Sequence, residues 1–166
     1  HEVTNSQFSL YKENDSQHNK VTEGNLPVVN VSWNDAALYC NWLSLKEGLS
    51  FFYKVNNNQV VGFNLGSEGY RMPTESEWSW SARRINSKKV QYLLFPWGSE
   101  MPVAKDSGNY ADESAKATSS SYIPNYNDGF SERAPVGSFN PNDKGIYDLG
   151  GNVSEFVNDF YSIMTD

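Results

Sequence analysis

The 166-residue sequence is poor in cysteine and histidine, which excludes several kinds of site. Cys40 is the only cysteine, so the chain forms no disulfide within itself and carries no zinc site built from several cysteines. The two histidines, His1 and His18, both lie in the polar N-terminal stretch. A histidine-based metal or acid–base site needs more convergent partners than these two supply, so we interpret both as surface residues.

The chain also lacks an excess of basic residues and any long hydrophobic run. Its 20 acidic residues outnumber 13 lysines and arginines, so the net charge is −7 and no electrostatic surface for nucleic-acid phosphates is expected. This acidity indicates either ordinary solubility or carboxylates placed to hold cations. No stretch is long and apolar enough to span a membrane. Because the chain begins abruptly at His1, without a signal peptide, we expect it to be a piece of a longer protein. The missing signal peptide therefore does not predict the cellular compartment.

Aromatic residues, in contrast, are plentiful. They make up 14% of the chain, with five Trp, ten Tyr and nine Phe. Each large ring removes roughly 150–250 Å² from water when it is buried, so a few rings organise a fold that is rich in loops. This composition predicts one globular domain over residues 1–166 rather than a disordered chain.

Two segments carry the signals of helix starts. Ser32 is the predicted cap of the first helix, with Asp35 three positions later in place of the usual Glu and Gly48 as the stop. Thr74 is the predicted cap of the second helix, with Glu77 as its reciprocal partner in a capping box. The acidic pair that opens the second helix is explained by capping and by the helix dipole rather than by catalysis.

The remaining sequence predicts a hairpin and then a long irregular region. Residues 51–55 and 59–63 flank an asparagine triplet and predict a β-hairpin, because Asn tolerates the left-handed turn conformation. After residue 95, Gly, Pro, Asn, Asp and Ser dominate and no helix of normal length is predicted. So much irregular backbone needs an unusual stabiliser, and without a disulfide a bound metal is the natural candidate.

Seven short motifs follow one another along nearly the whole chain. They are residues 2–5 (EVTN), 27–36 (PVVNVSWNDA), 70–78 (YRMPTESEW), 95–98 (FPWG), 108–111 (GNYA), 134–137 (APVG) and 145–156 (GIYDLGGNVSEF). In this order they resemble the sulfatase-modifying-factor family, which includes the formylglycine-generating enzymes. The resemblance implies an α+β, C-type-lectin-like fold with little regular secondary structure, two main helices and short antiparallel strands. It also implies that the motif at residues 2–5 is an early strand.

The resemblance further implies two structural calcium sites. The positions that correspond to the first site are Asp112, Glu113, Asp128 and Phe130. The positions that correspond to the second site, mostly through backbone carbonyls, are Gly150, Gly151, Val153 and Glu155. Calcium takes about six to eight hard oxygen ligands and accepts carbonyls from flexible loops, which suits both segments. Without the resemblance, Asp112 and Asp128 are better interpreted as ordinary turn residues, because isolated Asp-Gly pairs are common turn signals.

The family's catalytic chemistry has no counterpart in this sequence. Its enzymes oxidise a sulfatase cysteine to formylglycine with a pair of cysteines and copper, in a segment that follows the Gly-Asn-Val motif. Cys40 does not match that pair, and its place on the apolar face of the first helix predicts a buried, inert thiol. No catalytic or cofactor-binding residue is therefore assigned. Ser154 and Phe156 also replace the Trp residues that usually flank the Glu of the last motif.

Two functions of different classes remain. One is a calcium-binding, non-catalytic domain that binds a protein or peptide partner or acts as a scaffold. The other is the N-terminal part of a formylglycine-generating oxidase, with its cysteine pair, and hence copper, beyond residue 166. Either way we expect residues 1–166 to form a single, incomplete domain. Calcium use and the habit of the family favour the periplasm or the cell surface of a bacterium.

Overall fold

The computed structural model describes residues 1–12, 23–84, 91–101 and 103–160. His18, interpreted above as a surface residue, lies outside these ranges. Within them the regular elements are few and short, and the helices and strands leave most of the second half of the chain irregular. In chain order the elements are α1 (Asn5–Lys12), α2 (Trp33–Lys46), β1 (Tyr53–Asn56), β2 (Gln59–Phe63), α3 (Glu75–Arg83) and a 3-10 helix (Glu113–Ala115). The predicted α+β class with little regular secondary structure is confirmed.

The two predicted helices, α2 and α3, begin at the predicted caps. The Ser32 side chain accepts a hydrogen bond from the backbone N–H of Asp35, and the Asp35 carboxylate accepts one from the N–H of Ser32. Thr74 and Glu77 form the same reciprocal pair at the start of α3. The shorter Asp therefore replaces Glu in the first capping box without the loss of either hydrogen bond. α2 is followed by Gly48, whose φ of +69° ends the helix at little steric cost.

The predicted hairpin is formed by β1 and β2, which pair antiparallel. Asn57 and Asn58 connect the strands with φ angles of 47° and 59°, so both adopt the left-handed conformation that a two-residue hairpin turn requires. Asn34 of α2 holds the turn: its Nδ2 donates to the carbonyl of Asn58 (2.8 Å) and its Oδ1 accepts from the N–H of Val60 (2.9 Å). The hairpin is thereby fixed against the start of α2.

A third helix, α1, was not predicted, because it lies directly after the motif that the resemblance assigned to a strand. Thr4 forms only a single antiparallel bridge, to Pro27. Thr4 and Gln7 then exchange hydrogen bonds between side chain and backbone (2.9 and 3.1 Å), which caps the helix. Phe8 of α1 packs on Tyr39 of α2, with ring centroids 5.3 Å apart.

The core lies between α2, the hairpin and the segment before α3. Its buried members are Ala37, Phe52, Tyr53 and Met72. The hydroxyl of Tyr53 accepts a hydrogen bond from the N–H of Met72 (3.1 Å) and donates to Oδ1 of Asn158 (2.8 Å), which ties the late chain to this core. Cys40 packs against the same core but is half-buried rather than fully buried. Burial still raises the pKa of its thiol to about 11, so it stays protonated near neutral pH.

Residues 103–160 are held by hydrogen bonds that involve side-chain amides and carboxylates rather than by ladders of backbone hydrogen bonds. Nδ2 of Asn109 donates to the carbonyl of Glu132 (2.6 Å), and Oδ1 of Asn152 accepts from the N–H of Ala134 (2.8 Å). Asn109 and Asn152 also bond each other (3.0 Å), so one network joins three loops. Across the described ranges, no helix has both the length and the hydrophobicity that a membrane crossing requires.

Candidate metal sites

Asp112, the first of the predicted calcium ligands, is fully buried (0% exposed) where two loops meet. It caps the 3-10 helix, since its Oδ1 accepts hydrogen bonds from the N–H of Ser114 (2.7 Å) and from its hydroxyl (2.6 Å). Its Oδ2 accepts from the backbone N–H of Asp128 (2.6 Å). The structure therefore brings Asp112 and Asp128 together, although 15 residues separate them in the printed sequence.

The carboxylate of Asp128 in turn accepts hydrogen bonds from the backbone of both loops. Its Oδ2 accepts from the N–H of Tyr110 (2.8 Å) and its Oδ1 from the N–H of Phe130 (2.8 Å). Burial raises the pKa of Asp128, and the neighbouring charge of Asp112 adds to the shift, although the backbone hydrogen bonds oppose it. For Asp112 burial acts in the same direction, but its hydrogen bonds from Ser114 and Asp128 outweigh burial and its pKa is lowered.

The acceptor oxygens around Asp112 and Asp128 outnumber the hydrogen-bond donors that reach them. The Ser114 hydroxyl lies within hydrogen-bond distance of both Asp112 Oδ1 (2.6 Å) and the Phe130 carbonyl (2.7 Å), yet it has one proton to donate. A carboxylate offers about four lone-pair positions, and Asp112 uses three of them and Asp128 two for the hydrogen bonds described above. Hard, negatively charged oxygens with free lone pairs fit a calcium ion.

Glu113 contributes to this cluster differently from the two aspartates. Its carboxylate accepts a hydrogen bond from the backbone N–H of Asn125 (3.4 Å). The same carboxylate lies 3.9 Å from the ammonium group of Lys116. The group that Glu113 would offer to a calcium ion is therefore its backbone carbonyl.

The four residues predicted for the second site line one cavity of about 450 Å³. Its walls also include Trp78, Trp97 and Tyr110. Glu155 as a whole residue is exposed to solvent, but its carboxylate lies among protein atoms and accepts a hydrogen bond from the indole N–H of Trp78. Burial of this carboxylate among the surrounding protein raises its pKa, and the nearby charge of Asp148 adds to the shift.

The two glycines of this site are required by the close approach of other chain segments. A Cβ on Gly151, whose φ is +86°, would lie 2.0 Å from the carbonyl oxygen of Asn109. A Cβ on Gly150 would lie 2.5 Å from the hydroxyl of Tyr110. Both positions therefore exclude side chains, and this leaves their carbonyls as the groups that they offer to a ligand.

Two acidic residues beside this cavity, Asp148 and Glu2, were missed by the sequence reasoning. Asp148 is buried with φ of +63°, and its Oδ2 accepts from the N–H of Gly137 (2.6 Å). Oε1 of Glu2 accepts from Nδ2 of Asn152 (2.9 Å). The remaining oxygens, Asp148 Oδ1 and Glu2 Oε2, are buried and have no hydrogen-bond partner among the described residues. The only sequence signal for Asp148 is its acidic side chain inside a glycine-rich motif, whose backbone carbonyls were the predicted calcium ligands.

In the parts of the chain that the structure describes, no group of three or more His, Cys, Asp or Glu side chains is arranged to hold a metal ion. Both predicted sites consequently depend on backbone carbonyls as well as on carboxylates. Such mixed oxygen sets suit calcium and do not suit zinc or copper, which prefer nitrogen and sulfur ligands.

Comparison with protein families places these motifs in a known group. The profile of the family described as the sulfatase-modifying factor enzyme 1-like domain matches residues 1–166. The chain is 32% identical to the formylglycine-generating enzyme of Mus musculus over 84% of this chain and 28% of that protein. It is 33% identical to the inactive C-alpha-formylglycine-generating enzyme 2 of Mus musculus, over 82% of this chain and 33% of that protein.

A bacterial relative and two solved structures extend the comparison. The chaperone protein LppX of Paenibacillus barcinonensis is 33% identical over 82% of this chain and 52% of its own length. The chain thus spans between 28% and 52% of the length of these relatives. Treponema denticola variable protein 1 is 26% identical, with a TM-score of 0.71 over 97% of this chain and 61% of that one. CarF, at 24% identity with a TM-score of 0.66 over 99% of this chain and 68% of that one, shows the fold alone.

Proposed function

Because the chain belongs to the sulfatase-modifying factor enzyme 1-like domain family, we propose that it is a calcium-stabilised, non-catalytic member that serves in binding or scaffolding. The observation that carries this proposal is the Asp112–Asp128 pair, in which the Asp112 carboxylate accepts a hydrogen bond from the backbone N–H of Asp128 and its charge helps to raise the pKa of the Asp128 carboxyl group. A bound calcium ion would supply the positive charge that this contact lacks. The loops that it joins are those that offer recognition surface to a partner protein or peptide.

The residues present define which groups would hold the ions. At the first site these are the carboxylates of Asp112 and Asp128 and the carbonyls of Glu113 and Phe130. At the second site they are the carbonyls of Gly150, Gly151 and Val153 and the carboxylate of Glu155. Apart from the three-residue 3-10 helix at Glu113–Ala115, each set brings oxygen atoms from loops without regular secondary structure. In this proposal calcium therefore takes the place that a disulfide or a larger core takes in other domains.

The non-catalytic assignment follows from the cysteine content. Cys40 is the only cysteine of this sequence, and the raised pKa of its half-buried thiol keeps it in the unreactive, protonated form. Overall similarity does not decide the matter, because identity to an active enzyme, 32%, and to an inactive one, 33%, is nearly the same. The chaperone protein LppX is equally similar to this chain, at 33% identity.

The second candidate is the N-terminal part of a formylglycine-generating oxidase. It is favoured by similarity to such enzymes from two distant sources, Mus musculus at 32% and Thermomonospora curvata at 31% identity. In that case a cysteine pair beyond residue 166 would hold copper and carry the oxidation. The residues described here would then support the site and would not react.

Two closely spaced cysteines in the parent sequence beyond residue 166 would favour the second candidate, and their absence would exclude it. Incubation with copper and a Cys-x-Pro-x-Arg peptide tests the non-catalytic assignment of the chain itself. We expect no conversion of the peptide cysteine to an aldehyde, read by mass spectrometry, from the 166-residue chain. Turnover by this chain would overturn the non-catalytic assignment. A periplasmic or cell-surface location belongs to the same proposal, since weak calcium sites of extracellular modules fill only where calcium is abundant.

A further inference from the structure

A surface hollow beside α3 lies outside both candidate metal sites. Its volume is about 440 Å³, and it is lined by two aromatic residues, Trp80 and Tyr92, and by three polar ones, Glu75, Ser76 and Ser79. The polar residues follow one another at helical spacing and therefore share one face of α3. Both rings are well exposed, Trp80 to 45% and Tyr92 to 54%. Large exposed rings around a hollow are a common mark of a binding site.

The Trp80 ring is held in place although it is exposed. The guanidinium carbon of Arg84 lies 5.6 Å from the ring centroid, and the ammonium nitrogen of Lys144 lies 5.3 Å from it. Lys144 is fixed in turn, because it donates to the carbonyl of Arg84 and to the carboxylate of Asp143 (3.0 Å). Tyr92 forms an antiparallel bridge with Arg84, which places it next to the end of α3. Both rings are thus positioned before a ligand arrives, and this reduces the entropy that binding costs.

The polar groups of the hollow are free to bond a ligand. The hydroxyl oxygen of Ser79 accepts from Nη2 of Arg83 (2.7 Å), so its own proton remains available to a ligand. Among the residues that the structure describes, the Glu75 carboxylate and the Ser76 hydroxyl have no hydrogen-bond partner. The hollow therefore offers one carboxylate and two hydroxyls beside two aromatic rings.

This combination selects among the kinds of ligand. An apolar side chain of a protein partner would cover the free polar groups without bonding them, which is costly. A phosphate or another anion would meet the charge of Glu75. A pyranose ring has an apolar C–H face that packs on an aromatic ring and hydroxyl groups that bond carboxylates and hydroxyls.

We propose that the hollow binds one pyranose ring of a neutral saccharide. The C–H face of the sugar packs against Trp80 and Tyr92. Its hydroxyls donate to the Glu75 carboxylate and bond the hydroxyls of Ser76 and Ser79. This site uses no metal ion, so it goes beyond the calcium proposal and does not depend on it.

Titration with cellobiose, maltose, lactose and chitobiose tests this site, with the indole N–H signals of the isotope-labelled chain as the readout. The signal of Trp80 is identified by its absence from Trp80→Phe. At least one of these sugars should shift it saturably, with a dissociation constant of roughly 1 mM, the range expected for one small ring. Tyr92→Ala should weaken binding about ten-fold, and Glu75→Gln, which keeps both rings, about three-fold. Phe51→Ala, which removes an exposed ring elsewhere, is the matched control and should bind as the unaltered chain does.

Three results would overturn the saccharide site. The first is no saturable shift of the Trp80 signal by any of the four sugars up to about 100 mM. The second is equal affinity in the unaltered chain and in Glu75→Gln and Tyr92→Ala, each shown by its remaining signals to be folded. The third is binding that a calcium chelator abolishes while the chain stays folded, because the sugar would then bind through a metal ion. Sugar binding by a chain without any calcium response would overturn the calcium proposal and support this one.

Discussion

Two regions of the molecule reach order by different physical means. Residues 32–83 contain two capped helices and a hairpin, and α2 and the hairpin pack around Tyr53. Residues 103–160 contain one 3-10 helix of three residues, and hydrogen bonds between side chains and distant backbone groups hold the rest. In the first region local rules of capping and turns determine the backbone. In the second region each loop is fixed by residues that are remote in the sequence.

The regions also differ in the charge that they bury. In residues 32–83 the buried polar side chains are neutral, namely Asn41 and Ser44. In residues 103–160 they include the carboxylates of Asp112 and Asp148. A buried charge is tolerated only when hydrogen bonds or an opposite charge compensate it. The first region is therefore expected to be stable without a cation, whereas the proposed calcium ions would stabilise the second.

Asp112→Asn should give the largest loss of stability among these predictions, and it should act on the second region. The amide is unable to accept hydrogen bonds at both ends, so a buried N–H of Ser114 or Asp128 loses its partner. We expect a loss of about 3 kcal/mol in the free energy of unfolding, measured in urea. Asp106→Asn, at an exposed position, is the matched control. Equal stability of the two variants would contradict the role given to Asp112.

Tyr53→Phe tests the contact between the regions. It removes the acceptor of the Met72 N–H and the donor to Asn158, and only the first of these groups is deeply buried. The expected loss is about 2 kcal/mol, with amide exchange rising in both regions rather than in one. Tyr92→Phe, at an exposed ring, should change stability by less than about 0.5 kcal/mol. Exchange confined to residues 32–83 would show that the regions are independent.

The same contrast explains how much the sequence reveals. The caps Ser32 and Thr74 and the asparagine turn of the hairpin were predicted correctly, because each acts within four residues of its partner. Helix α1 was missed because the resemblance assigned residues 2–5 to a strand, although Thr4 and Gln7 fit the capping-box pattern. Asp112 and Asp128 were placed by resemblance, and nothing local predicted that they touch. Asp148 and Glu2 were not paired at all, since only the folded chain brings residue 2 to residue 148.

Ser32→Ala should have a smaller effect, confined to the first region. It removes the side-chain acceptor for the N–H of Asp35 at the start of α2. We expect a loss of about 1 kcal/mol in thermal or urea unfolding, the usual value for a helix cap. Ser120→Ala, in an exposed loop, should be neutral. A neutral Ser32→Ala would mean that tertiary packing, rather than the cap, sets the start of α2.

Acid should produce the smallest effect, again in the first region. The Arg71 guanidinium forms two hydrogen bonds to Glu77 (2.7 Å each) and, with the N–H of Thr74, lowers the pKa of Glu77 to about 2. Because the folded pKa lies below the unfolded value of 4.5, this contribution is present above that pH and is lost as the pH falls towards 2. Glu77 is largely exposed, so the loss is modest. In Glu77→Gln the urea midpoint should therefore fall less between pH 4.5 and pH 2 than it does in the unaltered chain.

The response of the melting temperature to a calcium chelator tests the central claim most directly, that calcium holds the second region. At about a hundred times its dissociation constant, one bound ion stabilises the folded chain by roughly 2.7 kcal/mol. The chelator should therefore lower the melting temperature of the unaltered chain. Asp128→Ala should lose the part of this sensitivity that belongs to the first site, while Asp106→Asn should keep all of it. An identical melting temperature with calcium and with chelator would contradict the account.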